Sequence, residues 1–282
     1  MISKSTKCLA LAAALSSGVG FPLSAQAPAF APSDSQPNYV DLVDLADGAL
    51  LVVRAQVRKQ AQVEAERAPG LAPGHARLYI EAQTIALLTG SVPVGESLRY
   101  LVDVPLDSRG RAPKLKKQEV ILFARPVRNR PGELQLVDPR AQLAWSADLE
   151  ARLRPILASL VESDAPPVVT GVRDALAVEG NLAGESETQV FLETQSGAPV
   201  SLSVIRRPGM APRWGVSWSE LVDQSVRPVR QGTLPWYRLA CALPETLPAS
   251  ANIAEDARAR QIAQQDYGYL IAQLGPCIRN RG

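Results

Sequence analysis

Histidine occurs once in the 282 residues, as His75, and cysteine three times. Any Ser-His-Asp or Cys-His mechanism would therefore have to run through one imidazole. A histidine-built zinc site is excluded by count. There is no C-x-x-C pair for dithiol chemistry, no phosphate-binding glycine loop and no G-x-G-x-x-G fingerprint. Aromatic residues make up 5% of the chain, too few for extended base-stacking surfaces. An excess of one charge is also missing. The formal net charge is +2, so the overall basic footprint of a nucleic-acid binder is absent. No cofactor is implied by any of these patterns.

What is present begins with a leader. Lys4 and Lys7 form a positive start, Cys8 to Leu15 is a short apolar run, and small residues follow at Ser24, Ala25 and Ala27. This is the layout of a cleaved secretory signal over residues 1–27, and its apolar run is too short to span a bilayer. Cleavage at a neighbouring bond, such as before Phe30, stays open because Pro28 follows the Ala25-Gln26-Ala27 triplet awkwardly. Cys8 lies too early to be a lipid-carrying cysteine. The expected product is a soluble protein of the periplasm or the exterior, with no transmembrane helix. Of the 30 Lys and Arg, the leader carries two, which leaves 28 against 28 Asp and Glu. Two cysteines also remain, Cys241 and Cys277. In an oxidising compartment such a pair reads as a disulfide; two buried free thiols or a catalytic thiol are the alternatives.

The composition, 46% apolar and 21% charged, is that of a folded protein. A flexible Ala/Pro/Ser lead-in is expected over 28–37, then a short helix capped by Asn38 with Asp41 in its first turn. From Val53 to Val63 apolar and polar residues alternate, broken only at Lys59, which predicts a strand with one buried face. Further strands are predicted at Arg77–Leu88, Ser97–Val104, Val120–Ala124 and Glu133–Val137. Pro69-Gly70 through Gly74 forms a loop ending at His75.

The sequence Ala46-Asp47-Gly48 before the first strand, Leu87-Leu88-Thr89-Gly90, Pro93-Val94-Gly95-Glu96, and Leu115-Lys116-Lys117-Gln118-Glu119 before Val120–Phe123 resembles the OB-fold of the netrin and metalloproteinase-inhibitor (TIMP-like) group. That resemblance implies a five-stranded barrel over 38–140 that serves binding and not chemistry. The amino-terminal cysteine with which those inhibitors engage a protease metal is missing here, as are their disulfides, so no functional residue carries over. The whole chain is also similar to the uncharacterised exported proteins of Gram-negative bacteria.

After the barrel, Ser146 is placed to cap a helix with an apolar stripe at Leu149, Leu153, Ile156, Leu157, Leu160 and Val161. Pro155 predicts a kink in it or a division into two short helices. This helix and a linker ending at Pro166-Pro167 occupy 141–167. A smaller α+β domain is expected over 168–282. Its strands are Val168–Val172, Ala175–Val178, Thr188–Thr194, Val200–Arg206 and Trp214–Ser219. Thr233 and Pro235 favour a helix over Leu234–Ala242. A last helix, capped by Asn252 with Glu255 three residues on, ends at Gly275-Pro276. The fold class is thus α+β, mainly β, closed by a C-terminal helix.

Among candidate sites, Arg99 to Arg130 holds nine basic residues against three acidic ones. Arg109, Arg111, Lys114, Lys116 and Lys117 would form an anion-binding surface for acidic lipid heads, polysaccharide or an acidic protein. The alternative is a solvated edge that keeps the barrel soluble. Asp41, Asp44 and Asp47 have a spacing that invites a calcium reading, but no EF-hand pattern follows; a wet helix face explains them better, and no metal is expected. Gly215-Val216-Ser217-Trp218-Ser219 lacks the second glycine of a nucleophile elbow. Trp214, Trp218, Trp236 and Tyr237 either line a groove or pack a core. The function expected is an exported, non-enzymatic binding protein of the bacterial envelope; the competing one is a periplasmic hydrolase using His75.

Overall fold

The computed structural model describes residues 36–90, 92–219 and 227–281. The leader expected over 1–27 and nearly all of the expected lead-in lie outside the described residues. No described helix is long and apolar enough to cross a membrane.

Asn38 caps the first helix, α1 (Tyr39–Asp47), in a reciprocal capping box with Asp41. The chain then builds an antiparallel sheet from β1 (Leu51–Gln62), β2 (His75–Gly90), β3 (Ser97–Pro105), β4 (Glu119–Pro126), β5 (Leu134–Leu136) and β6 (Gln142–Ala144). The order is β3-β2-β1-β4-β5, with β6 also on β4. Val120 to Ala124, the uniformly apolar run, is buried throughout, as suits a strand with neighbours on both edges and cover on both faces. α2 (Ala147–Val161) follows, capped by Ser146. It runs unbroken through Pro155, which lies on its exposed side. Water there can satisfy the carbonyl that the missing N–H leaves unpaired. Val161, assigned to the buried stripe by spacing, is 71% exposed, because it is the last residue of the helix.

The closed five-stranded barrel is not formed. Its two outer strands, β3 and β5, form no ladder; their segments are linked by an isolated parallel bridge between Arg99 and Glu133 and by the Asp103 N–H to the Pro139 carbonyl. The outer edge of β4 is divided between β5 and β6, each three residues long. A strand that short cannot make a ladder along the nine residues of β3.

The second sheet has the order β10-β9-β8-β7, all antiparallel, from β7 (Val169–Glu179), β8 (Ser186–Thr194), β9 (Val200–Arg206) and β10 (Arg213–Ser217). The two short strands expected near 168–178 are one strand, β7, with register shifts on either side of Val172. These bulges interrupt the alternation that the sequence pattern relies on. α3 (Leu234–Ala240) and α4 (Ala257–Leu274) complete the chain. Asp256 caps α4, not Asn252; Asn252 instead bridges to Ala175 of β7. α4 lies on β7 and β8, where its buried Asp266 accepts from Thr188 and Arg206.

α1 serves both sheets. Leu42, Val43, Leu45 and Ala46 enter the first core, whereas Val40 enters the second. The predicted disulfide is formed, with Cα atoms 5.1 Å apart, between Cys241 at the end of α3 and Cys277 beyond α4.

Candidate functional site

The polar loop between β3 and β4 is held in place by an irregularity of β1. Alternation in β1 ends at Val57, where one extra residue shifts the pairing so that Val57 opposes Ala82, Lys59 opposes Glu81 and Gln60 opposes Ile80. The bulge therefore turns Gln60, not Ala61, toward the side of buried Ile80, and Ala61 is left exposed. Gln60 then grips the loop at two points: its amide donates to the Pro113 carbonyl (2.9 Å), and its oxygen accepts from the Leu115 N–H (2.6 Å). Leu115 is buried beneath. Val57 and the loop exchange backbone bonds, Lys117 N–H to Val57 O (2.8 Å) and Val57 N–H to Gln118 O (2.9 Å). Lys117 is held in the left-handed region, φ 70°, a conformation that disfavours a residue with a Cβ.

The result is a fixed turn in which Leu115 is buried and Lys114, Lys116 and Lys117 are exposed to solvent. The three ammonium groups have no ion-pair partner among the described residues. Arg109 and Arg111 lie earlier on the same loop, also exposed. Arg111 is engaged by Asp107 (3.1 Å). The Asp107 carboxyl is held below its usual range first by the Arg111 backbone N–H, then by that of Arg109 and by the Arg111 guanidinium.

Three of the remaining basic residues of 99–130 are drawn elsewhere. Arg125 donates to the Gly48 carbonyl. Arg99 and Arg130 both approach Glu133, at 3.9 and 3.3 Å, beside a groove of about 670 Å³ over the seam between β3 and β5. A second depression of about 580 Å³ lies between α1, α2 and the start of α3.

His75 opens β2 with its Nδ1 3.1 Å from the Pro73 carbonyl, and that is its only side-chain hydrogen bond among the described residues. Ser217 lies in strand β10 and bonds to the Ser219 carbonyl. The acidic face of α1 is not the wet face expected: its carboxylates are taken by protein donors from the chain's C-terminal half. Asp41 takes the backbone N–H groups of Asn38, Asn280 and Arg281. Asp44 takes the Tyr237 hydroxyl and Arg279. Asp47 takes both arms of buried Arg238 (2.6 and 2.8 Å). Among the described residues no cluster of His, Cys, Asp or Glu could hold a metal ion. Trp214 and Trp236 are buried in the second core, and the Trp236 indole donates to the Leu274 carbonyl (2.7 Å).

One cluster had no sequence signal. Arg54 of β1 stacks on Trp145 at 3.6 Å and binds Glu119 (2.6 Å) and Glu150 (3.4 Å). Glu150 also accepts from the Trp145 indole (2.6 Å) and from Arg154. Its carboxyl is held below the ordinary value of 4.5, first by the indole bond and next by Arg154. Each carboxylate accepts from a cation or an N–H, and the cluster fastens α2 to the sheet.

No protein-family model matches the chain, and comparison with curated proteins also gives no match.

Proposed function

We propose that the chain is an exported, non-enzymatic binding protein of a bacterial envelope, and that Lys114, Lys116 and Lys117, with Arg109 beside them, receive an anionic partner. The observation that carries this reading is the pinned turn. Three lysines without internal partners stand on a loop that Gln60, Leu115 and Val57 hold to the sheet. A backbone already held in place loses less conformational freedom on binding than a mobile loop, and ions with no internal partner gain the most from an external one. The disulfide between Cys241 and Cys277 supports export, because such bonds persist in oxidising compartments. We read the first sheet as an open form of the OB-like arrangement. The order β3-β2-β1-β4-β5 and the parallel Arg99–Glu133 bridge support that reading.

The test is capture by vesicles of mixed neutral and anionic phospholipid, at low and at 0.5 M salt, for the native chain and a Lys114→Glu/Lys116→Glu/Lys117→Glu variant. Each lysine near an anionic surface contributes about 1 kcal/mol, so the charge-reversed variant is expected to bind at least about 100-fold less tightly, and salt to abolish the difference. Equal, salt-insensitive association of both proteins would overturn the proposal.

A further inference from the structure

The depression between α1, α2 and the start of α3 combines apolar surface with acid groups that nothing inside the protein answers. Leu42, Ile156 and Leu234 line it, all three buried members of the first core. Tyr39, Pro155 and Pro235 add further apolar surface. Its volume of about 580 Å³ falls within the range of roughly 300–1,000 Å³ over which pockets hold small ligands.

The charges around it are unequally matched. Arg152 is the one basic residue lining it, and that guanidinium is already bonded to the Asp148 carboxylate (3.0 Å) and the Pro37 carbonyl (2.9 Å). Glu162 and Asp164 line it as well, both exposed. Neither carboxylate has an ion-pair or hydrogen-bond partner among the described residues. α2 ends at Val161, next to Glu162, and its last turn holds no basic residue, so the negative end of the helix adds to the same potential. The start of α3 opposes it weakly. That helix has seven residues, Thr233 takes the Trp236 N–H (3.4 Å), and Pro235 has no N–H to offer. The depression therefore carries two unmatched negative charges beside an apolar surface.

We propose that this depression binds a small amphiphilic organic cation, an ammonium group on an apolar body, at a site separate from the lysine turn. The apolar body lies against Leu42, Ile156 and Leu234, and the ammonium is held by Glu162 and Asp164. Exposed charge pairs are each worth little, so burial of the apolar body supplies most of the affinity. The two carboxylates supply a selection of about 10-fold over a neutral head group. An anionic head group would meet two like charges and a helix end of the same sign.

The experiment is isothermal titration calorimetry on the full chain with octylammonium, octanol and octanoate, which share one alkyl chain and differ in head-group charge. Saturable binding of octylammonium is expected, about 10-fold tighter than that of octanol, with octanoate weaker again. Glu162→Gln/Asp164→Asn should lower octylammonium binding to the level of octanol. Its circular dichroism and melting temperature should stay unchanged, because these carboxylates have no partner to lose. Ser159→Phe, which places a ring in the depression from α2, should abolish binding of octylammonium and octanol alike. The Lys114→Glu/Lys116→Glu/Lys117→Glu variant should bind octylammonium as the native chain does, which separates this site from the lysine turn. No saturable binding at millimolar octylammonium would overturn the proposal. So would equal affinity for octanol or octanoate, full binding by the Glu162→Gln/Asp164→Asn or Ser159→Phe variant, or loss of binding in the lysine variant.

Discussion

Lys117 concentrates the tension between stability and use at the scale of one residue. Its left-handed backbone, φ 70°, costs an L-residue about 1–2 kcal/mol relative to the ordinary helical region. Such strain persists only where the surroundings impose it, and here the two backbone bonds with Val57 do so. Glycine takes this conformation freely but gives up more entropy on folding. Lys117→Gly is therefore expected to stabilise the protein by up to about 1 kcal/mol in urea unfolding and, at the same time, to weaken capture by anionic vesicles. Loss of stability in that variant would mean that the lysine stem packs against the turn and that strain is not the controlling factor. Gln60 shows how little of this could be read in advance. In the sequence it is one polar residue among Arg58, Lys59 and Gln62; only the bulge makes it the residue that grips Pro113 and Leu115.

At the scale of elements, α2 is attached to the first sheet by apolar packing of Leu149, Leu153, Ile156 and Leu157 and by one polar cluster centred on Glu150. Because the Trp145 indole and Arg154 favour its ionised form, the Glu150 carboxyl titrates below 4.5 in the folded chain. The sign follows from linkage: a depressed carboxyl contributes stability above its unfolded pKa, and that contribution is lost as pH falls through the folded value. Native protein should thus exceed Glu150→Gln in melting temperature at pH 7, with the gap narrowing progressively below about pH 4.5. Parallel pH profiles for the two proteins would show that the carboxyl does not couple to folding. The helix itself was legible from its Ser146 cap and its apolar spacing. Its polar attachment was not, because Arg54 and Glu119 lie far along the chain from each other and from Trp145 and Glu150.

At the scale of the whole molecule, two cores are joined through α1, α3 and the tail after α4. Asn38 donates to the Ile278 carbonyl, Asp41 accepts from Asn280 and Arg281, and Asp44 accepts from Arg279. Cys277 ties the start of that tail to the end of α3, closing a separation of 36 residues. In the chain-entropy model a loop of this size is worth roughly 3–4 kcal/mol. Replacing both Cys241 and Cys277 by serine should lower stability by about that amount and raise amide hydrogen exchange in α1, which loses its tail contacts. Unchanged protection of α1 would show that the tail stays seated without the bridge. The serine variant is expected to retain one calorimetric transition, since α1 is shared by both cores.

The sequence by itself determined most of the secondary structure, because hydrophobic periodicity, caps and turn residues act over a few positions: the α1 capping box, the alternation in β2 and β3, the apolar run of β4, the β8–β9 hairpin and the α4 stripe. It also made a disulfide the simplest reading of Cys241 and Cys277, with free thiols as the alternative, and the fold forms that bridge. Tertiary structure alone decided whether the first sheet closed, because that depends on how far β5 reaches along β3, a matter of pairing length and not of local preference. It likewise decided which charges remain available. Nine basic residues lie close together between 99 and 130, yet Arg111 and Arg125 are taken up by Asp107 and the Gly48 carbonyl. Arg99 and Arg130 go to the seam, and the lysines of the pinned turn stay open to solvent. Ion pairing is settled by distances across strands and loops, and no spacing along the chain records them.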